Sequence, residues 1–244
     1  MFLFFLIFQC NSLNAFTILI DPGHGGEDDG AKAMHLINKE EVLIKEKDLS
    51  LKIALKLQEI LSKKYNVFLT RSIDRTVTLP ERAQIAEKLK ADLFISIHIN
   101  SAPDKNSFGF ETYYLDNNND VAVKKVERTE NIQSKGEEVV QQILIDLVID
   151  QTVKTSKPLA VMVHSEIKKK VGGKYRIPSR GIKPGLFYVL ALSKRPGLLL
   201  EAGFISTLKE RQRMLNDNFQ WDYARAVASG IDQFISTSTK KKRK

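Results

Sequence analysis

The sequence predicts an α/β domain with a single open, mainly parallel twisted sheet of about six strands and helices on both faces. Short apolar segments rich in β-branched residues alternate along the chain with longer segments whose apolar residues recur at helical spacing. One short segment, DLFISIH at residues 92–98, is almost continuously apolar, which is typical of a strand covered by helices on both sides. Regular alternation of strands and helices favours parallel pairing, because each helix carries the chain back to the start of the next strand.

The first half of the chain contains three predicted strands and two predicted helices. The strands are FTILI at 16–20, NVFLT at 66–70 and DLFISIH at 92–98. Residues 47–65 are predicted to be helical, since their apolar side chains recur every three or four positions. Residues 79–91 form the second predicted helix, with Pro80 in the first turn. Proline is tolerated there because a backbone N–H in the first turn has no partner within the helix. The polar, charged stretch 27–45 separates the first strand from the first helix.

The second half contains three more predicted strands, two closing helices and a long helical region. The strands are GFETYYL at 109–115, GLFYVL at 185–190 and GLLLEA at 197–202, and the closing helices cover 208–215 and 219–234. The region 116–179 is polar and helical, with its best helix at 136–153 and a further helix reaching 170. Because this region interrupts the alternation, we interpret it as a helical insertion within one domain, residues 16–236.

The amino terminus has the pattern of a secretory signal peptide. In MFLFFLIFQCNSLNA, residues 1–15, a short apolar run precedes polar and small residues, and cleavage would follow Ala15. The run is too short to span a bilayer. We therefore expect secretion across the inner membrane, to the periplasm or the cell wall. The single cysteine, Cys10, follows the bulky Gln9, which disfavours lipid attachment, and its removal with the leader would exclude disulfides and thiolate ligands.

The carboxyl terminus is strongly basic, whereas the remainder of the chain is not. KKKRK at 240–244 supplies five of the nine net positive charges, and we predict a disordered basic tail at 237–244. The alternative is a tail that adheres to an anionic polymer or a membrane surface. Aromatic and basic residues are not interleaved in the way that stacks bases, so nucleic acid is not an expected partner.

The first strand runs into a glycine-rich loop, DPGHGGEDDGA at 21–31. A phosphate-binding loop needs a helix N-terminus directly after the glycines and commonly a lysine. Here Glu27, Asp28 and Asp29 follow instead and would repel phosphate. The loop therefore does not indicate a nucleotide site.

Side chains suited to metal chemistry stand at the ends of three predicted strands. His24 follows the first strand, His98 closes the third, and Glu201 closes GLLL. Ligands of open α/β sheets bind at the carboxyl ends of the strands, so these three side chains should face one crevice. Each of them alone could be a structural residue; together they favour a functional site. His35 and His164 lie in polar segments and are predicted to be on the surface.

Two imidazoles and one carboxylate would form a zinc site with an open fourth position. The candidates for the carboxylate are Asp21, Glu27, Glu41 and Glu46. Glu46 is preferred because it lies at the start of the 47–65 helix, where the chain returns to the sheet. Spacing alone leaves the choice open.

Five segments between residues 16 and 215 form a further pattern: DPGHGGEDDGA, KEKDLSLKIALKL, LPERAQIAEKLKADLFISIHINSAPD, GIKPGLFYVL and GLLLEAGFIS. In this order they resemble the zinc-dependent N-acetylmuramoyl-L-alanine amidases of bacterial cell-wall turnover. The resemblance implies that His24, Glu46 and His98 bind one Zn²⁺ per chain and that Glu201 is the catalytic glutamate. One departure is Thr207 after Ser206, where the family commonly has asparagine.

The implied reaction is hydrolysis of the amide bond between N-acetylmuramic acid and L-alanine of the peptidoglycan stem peptide, for cell-wall remodelling and daughter-cell separation. Arg82, Asn100 and Arg180 lie in matching motifs and are expected to contact substrate or support the site. Two alternatives are a zinc peptidase acting on stem peptides and a wall-binding protein without activity. A non-catalytic protein would be expected to lack a ligand or the glutamate, and all four positions are filled.

The 116–179 region falls where division-associated members of the family carry a regulatory helix, which covers the zinc site until an activator displaces it. By this resemblance we predict that Glu137 or Glu138, in GEEVV, occupies the open metal position at rest. A protein activator would then be a partner of the region. The alternative is a surface helical hairpin without a gating role. We expect the protein to be a monomer.

Overall fold

The structure is a computed structural model that describes residues 16–117, 120–131 and 138–242. The predicted signal peptide and Cys10 lie outside the described residues. In the described part of the chain, no helix is both long enough and apolar enough to cross a membrane.

The described residues form a mainly parallel sheet, a separate hairpin and helices on both sides of the sheet. The strands are β1 (Thr17–Pro22), β2 (Lys32–Ile37), β3 (Glu40–Lys45), β4 (Asn66–Leu69), β5 (Leu93–Asn100), β6 (Phe110–Leu115), β7 (Ser179–Gly185) and β8 (Gly197–Phe204). The helices are α1 (Glu46–Leu61), α2 (Leu79–Lys88), α3 (Val121–Glu130), α4 (Glu138–Ile167), α5 (Gly173–Tyr175), α6 (Tyr188–Ser193), α7 (Leu208–Met214) and α8 (Asp217–Lys242).

The six-stranded sheet has the order β4-β1-β5-β8-β6-β7. Pairing is parallel from β4 through β8, β6 runs antiparallel to β8, and β7 is parallel to β6. The prediction of an open, mainly parallel sheet of about six strands is confirmed. As a consequence, the carboxyl ends of β1, β5 and β8 meet at one edge together with the amino-terminal ends of β6 and β7.

Alternate side chains of the central strands enter two hydrophobic cores. Ile20, Ile95 and Leu200 face α1, α4 and α8, whereas their neighbours Leu19 and Leu199 face the side of α2 and α6. This alternation follows from the two-residue period of a strand, and burial on both faces explains the continuous apolar runs in the sequence. Each such fully buried side chain contributes about 1.5–3 kcal/mol.

The prediction that GLFYVL forms a strand is wrong. Gly185 ends β7, and the following residues form the short helix α6, with Phe187 and Leu190 buried in the second core. A short apolar run has no period that separates a buried strand from a buried helical turn. The strand at this edge is β7, SRGIKPG, whose polar composition gave no signal.

A β-hairpin, β2 and β3, occupies much of the stretch that was interpreted only as polar and charged. The two strands pair antiparallel, with Met34 opposite Leu43. Asn38 and Lys39 form the turn with positive φ angles of 52° and 70°, as in a two-residue type I′ turn. The hairpin joins the glycine-rich loop to the first residue of α1.

Much of the region 116–179 packs against the two hydrophobic cores. Instead of two separate helices, α4 is one helix of 30 residues, and a π-helical turn, Lys168–Gly172, continues it. Leu159 and Val163 are fully buried against the first core. At Gly230 of α8, an added Cβ would lie 2.4 Å from the Cα of Val163, so the two helices pack backbone to backbone.

The closing helices were predicted correctly in position but not in length. The last helix, α8, runs to Lys242, so the tail predicted to be disordered from residue 237 is helical over most of its length. Residues 243 and 244 lie outside the described part of the chain. A polar continuation of an amphipathic helix has no apolar period and therefore resembles a tail in sequence.

Candidate metal centre

Four side chains converge at the carboxyl edge of the sheet. His24 lies in the loop after β1, Glu46 is the first residue of α1, His98 lies near the end of β5, and Glu130 is the last residue of α3. One ligand atom from each lies within 4.8 Å of those of the others. The structure therefore brings together the three residues predicted to bind metal and adds a fourth, Glu130.

The glycines of the loop make room for the side chains of this cluster. A Cβ on Gly23 would lie 2.5 Å from the His98 ring, and a Cβ on Gly30 would lie 2.6 Å from the His24 ring. His24 itself has a φ of 61°, a left-handed conformation that is uncommon outside glycine. The glycine-rich sequence thus allows close approach of two imidazole rings, rather than binding of a phosphate.

Basic side chains hold the backbone of the same loop from behind. Arg71 donates to the carbonyl of Gly23 at 2.8 Å, and Lys47 donates to that of Gly26 at 2.6 Å. Arg82 donates to the carbonyl of His24 at 2.9 Å and pairs with buried Asp21. Arg82 is itself only 5% exposed, and it supports the glycine-rich loop at 21–31.

Both oxygens of Glu46 are fixed by backbone donors. The Ile99 N–H donates to Oε1 and the Ala31 N–H donates to Oε2, each at 2.8 Å. Oε1 also lies 3.1 Å from Nε2 of His24 and 3.1 Å from Nδ1 of His98. The backbone thereby orients the carboxylate between the two rings.

Asp28 orients His24 from the opposite side of the ring. Its Oδ2 lies 2.8 Å from Nδ1 of His24, and its Oδ1 accepts a hydrogen bond from Gly30 N–H at 3.1 Å. A carboxylate on one ring nitrogen is the usual way to direct the other nitrogen toward a metal. From the sequence, Asp28 is expected only to repel phosphate, whereas its position four residues after His24 indicates a supporting role.

Glu130 completes the cluster from α3. Its Oε2 lies 2.8 Å from Nδ1 of His98 and 3.5 Å from Nε2 of His24. The helix is anchored nearby, because Glu127 accepts a hydrogen bond from the Leu186 N–H at 2.7 Å. Of the acids predicted for this position, Glu137 lies outside the described residues, and the side chain of Glu138 does as well.

The residues present fit a divalent cation. Nε2 of His24 and Oε2 of Glu130 are buried without a hydrogen-bond partner among the described residues. Burial opposes the charged form of His98, but Glu130 and Glu46 raise its pKa to about 10, so the cluster attracts positive charge strongly. Imidazole and carboxylate are donors that zinc accepts in tetrahedral sites.

Glu201 lies beside this cluster on the neighbouring strand. It is the register partner of His98 in the β5–β8 pair and is fully buried. Neither carboxylate oxygen has a hydrogen-bond partner among the described residues. Burial, with the nearby charge of Glu130, raises the pKa of Glu201 well above its ordinary value, although His98 opposes this shift. Such a carboxylate is suited to accept and return a proton near neutral pH.

The other predicted contact residues have different surroundings. Asn100 is buried and donates to Glu111 at 3.2 Å, whereas Arg180 pairs with the same carboxylate and is substantially exposed. His164 is not on the surface as predicted: its ring lies buried between Thr112 and Ser179, at 2.9 and 2.6 Å. It lies on α4, and its contact with the sheet depends on how that helix packs against β6 and β7.

The fold and this cluster together define an α/β domain with a candidate metal-binding centre and an adjacent acid, an arrangement found in metal-dependent hydrolases. A model of the N-acetylmuramoyl-L-alanine amidase family matches residues 18–233. The chain therefore belongs to this family, and the resemblance seen in its sequence is confirmed.

Individual relatives agree with this assignment. The chain is 28% identical over 231 residues to N-acetylmuramoyl-L-alanine amidase AmiC of Escherichia coli O6:H1, an alignment that covers 90% of this chain and 53% of the relative. The chain thus spans about half the length of that relative.

Two solved structures share the fold along nearly their whole length. The N-acetylmuramoyl-L-alanine amidase from Clostridium difficile 630 is 30% identical with a TM-score of 0.69, covering 91% of this chain and 98% of that one. The CwlD amidase from Clostridioides difficile, solved in complex with the GerS lipoprotein, is 27% identical with a TM-score of 0.67, covering 91% and 99%.

Proposed function

We propose that this protein is a zinc-dependent amidase that hydrolyses the bond between N-acetylmuramic acid and L-alanine of the peptidoglycan stem peptide. The observation that carries the proposal is the position of Glu201, an unpartnered buried acid in register with His98 of the four-residue cluster. Family membership supplies the substrate class.

Three residues would hold one zinc ion per chain: His24, Glu46 and His98. The ordinary chemistry of zinc at such a site is to polarise the scissile carbonyl and to lower the pKa of a water molecule from about 15.7 toward about 7. Asp28 keeps Nε2 of His24 directed at the cluster, and the backbone donors of Ile99 and Ala31 keep Glu46 in place.

Glu201 would take the proton of the attacking water and pass it to the nitrogen of the departing L-alanine. Its buried position favours this role, since a carboxyl whose pKa is raised toward neutrality can act first as a base and then as an acid. The surrounding apolar strands exclude bulk water from the carboxylate and strengthen its interactions.

We also propose that Glu130 is a brake. It contacts His98 and His24 from α3, and so would occupy the fourth position around the ion. Substrate could enter only after α3 moves, which a protein activator could promote; the CwlD relative is an example of an amidase solved with a protein partner. This proposal keeps the predicted gating role and assigns it to a different acid from Glu137 or Glu138.

The setting of the activity is a separate proposal. We propose that the protein is secreted across the inner membrane, works as a monomer in the periplasm or at the wall, and contributes to remodelling and daughter-cell separation. The apolar leader at residues 1–15 supports secretion.

The test is product analysis together with metal analysis. Purified wild-type and Glu130→Ala proteins are incubated with sacculi, and the products are identified by mass spectrometry while bound metal is quantified. We expect glycan strands without peptide, free stem peptides that begin with L-alanine, and one zinc per chain. Cleavage within the stem peptides would instead indicate a peptidase, and intact sacculi with both proteins would refute the proposal.

A further inference from the structure

A second buried carboxylate, Glu111, lies next to Glu201 and has no part in the mechanism above. The two residues are register partners in the antiparallel β6–β8 pair, and Glu111 is 2% exposed. An isolated buried carboxylate is costly, so its partners indicate why it is there.

Four side chains surround Glu111. One oxygen accepts hydrogen bonds from Asn100 at 3.2 Å and from the Tyr113 hydroxyl, and the other accepts from Arg180 Nε at 2.6 Å and Lys183 Nζ at 2.9 Å. Burial opposes ionisation, but Tyr113, Arg180 and Lys183 lower the pKa of Glu111 below its ordinary value. Glu111 is therefore ionised, and each of its oxygens accepts two hydrogen bonds. It fixes the positions of two cationic side chains.

These two cations are not fully neutralised. The carboxylate of Glu111 faces both an ammonium and a guanidinium. The carboxylate of Glu210 also interacts with Arg180 but is paired with Arg213, so one positive charge remains in excess. Arg180 uses Nε for Glu111, and among the described residues its terminal nitrogens have no hydrogen-bond partner. Its side chain is 41% exposed and lies over the ring of Phe204 at 5.1 Å. Arg82 differs, since its donors are occupied by Asp21 and by backbone carbonyls.

The excess charge lies within reach of a substrate held at Glu201. Arg180 and Lys183 are on β7, two strands away from β8, which corresponds to about 10 Å at the usual strand spacing. An extended peptide advances about 3.5 Å per residue, so the residue after L-alanine covers part of this distance. The remainder is about the length of an arginine side chain.

We propose that Arg180 and Lys183, fixed by Glu111, bind the free α-carboxylate of the glutamate that follows L-alanine in the stem peptide. This inference rests on the proposed amidase function and adds a specificity to it. A planar guanidinium with two free nitrogens matches a carboxylate in geometry as well as in charge. Glu111 acts as a positioning residue, because it contacts the two cations and not the substrate.

The experiment compares two soluble substrates that differ only in this carboxylate. They are disaccharide forms of N-acetylmuramoyl-L-alanyl-D-glutamate and N-acetylmuramoyl-L-alanyl-D-isoglutamine, in which the α-carboxylate is an amide. We expect the wild-type protein to prefer the free acid by about tenfold in kcat/KM, mainly through KM, as is usual for a charge-assisted contact. In Arg180→Gln, most of this preference should be lost, and Lys183→Met should reduce it.

The control Arg225→Gln removes an arginine that is 59% exposed and pairs with Asp222 on α8, and it should retain the preference.

A measurement on the unaltered protein avoids any effect of substitution on folding. L-Alanyl-D-glutamate should inhibit about tenfold more strongly than L-alanyl-D-isoglutamine. Equal kcat/KM values for the two substrates, equal inhibition, or a preference that survives in Arg180→Gln would overturn the inference while leaving the amidase function intact. If wild-type and Glu130→Ala proteins cleave neither substrate, the amidase function fails and this inference fails with it.

Discussion

At the scale of single residues, hydrogen bonds from charged side chains stabilise the glycine-rich loop at 21–31, in addition to the close approach that its glycines allow. Arg71, Arg82 and Lys47 each donate to a backbone carbonyl between Pro22 and Gly26. Buried carbonyls need donors, and hydrogen bonds from charged groups are stronger than neutral ones. The left-handed conformation of His24 costs free energy, and these three donors help to offset that cost. The loop therefore presents His24 in a fixed orientation.

Glu201→Gln separates metal binding from proton transfer. The amide keeps the shape of the side chain but cannot accept a proton, so we expect turnover to fall by about 10²–10⁴-fold. Zinc content should not change, because Glu201 is not a member of the ligand cluster. Sacculus digestion and metal analysis of the same preparation check both points. Glu59→Gln, an exposed change on α1, is the matched control; substantial turnover in Glu201→Gln would mean that another group is the base.

His164 should make stability depend on pH. Burial, with the charge of Lys168, lowers its pKa to about 4 in the folded protein, against about 6.5 in an unfolded chain. Between these values the unfolded chain binds a proton that the folded chain does not, so the free energy of unfolding falls as the pH is lowered from 6.5 to 4. In His164→Gln the free energy of unfolding should depend less steeply on pH, by an amount that corresponds to at most one bound proton. Urea unfolding in the presence of a chelator, from pH 4 to 7.5, measures it; identical slopes would contradict the assignment.

The candidate site was only partly predictable from single residues. Chemistry-bearing residues at the ends of strands indicated His24, His98 and Glu201, because parallel strands end at one edge. The third ligand, Glu46, needed a family resemblance, since several carboxylates had suitable spacing. Glu130 could not be found in this way: it ends a polar helix, and its approach to the cluster depends on how α3 packs rather than on any local pattern.

At the scale of elements, strands buried on both faces were predictable and edge strands were not. The apolar runs of β1, β5 and β8 identify them, whereas β7 and the β2–β3 hairpin carry mixed or polar sequences whose structure depends on their neighbours. The short apolar helix α6 was predicted as a strand for a different reason, since a short apolar run has no period that separates a buried strand from a buried helical turn. The core role of α4 was missed because its apolar residues lie toward both cores, which weakens any single helical face.

The position of α3 should control access to the site. Glu130→Ala removes the carboxylate that contacts His98 and His24, so we expect the rate of sacculus hydrolysis to rise by roughly tenfold. This factor corresponds to a free energy of about 1.4 kcal/mol that favours the closed position of α3 in the wild type. The rate is measured without any added partner protein. Lys125→Ala, an exposed change on the same helix, should leave the rate as it is. A rate in Glu130→Ala equal to or below that of the wild type would refute the brake.

At the scale of the whole molecule, the candidate ligands come from separate parts of the chain. The loop after β1, the start of α1 and the end of β5 supply the three proposed zinc ligands, and α3 supplies Glu130. Two carboxylates and two imidazoles are packed together there, and Nε2 of His24 and Oε2 of Glu130 are buried with no hydrogen-bond partner in the part of the chain that the structure describes. Such an arrangement is unfavourable unless positive charge occupies it, so an ion bound there would link these elements.

Removal of metal should therefore lower the stability of the domain as a whole. A ligand that binds only the folded state stabilises it by about 2.7 kcal/mol at a free concentration 100 times its Kd. For a domain of this size, that corresponds to a change in Tm of about 5–10 °C. We expect chelator-treated protein to unfold at a correspondingly lower temperature, and stoichiometric zinc to restore the original Tm, as measured by scanning calorimetry.

In His98→Ala the dependence of Tm on zinc should be largely lost, because the remaining donors no longer surround the ion. Glu201→Gln should keep the full dependence, since its carboxyl lies beside the cluster and outside it. A wild-type Tm that does not respond to chelation or to added zinc would show that these four side chains do not hold a metal.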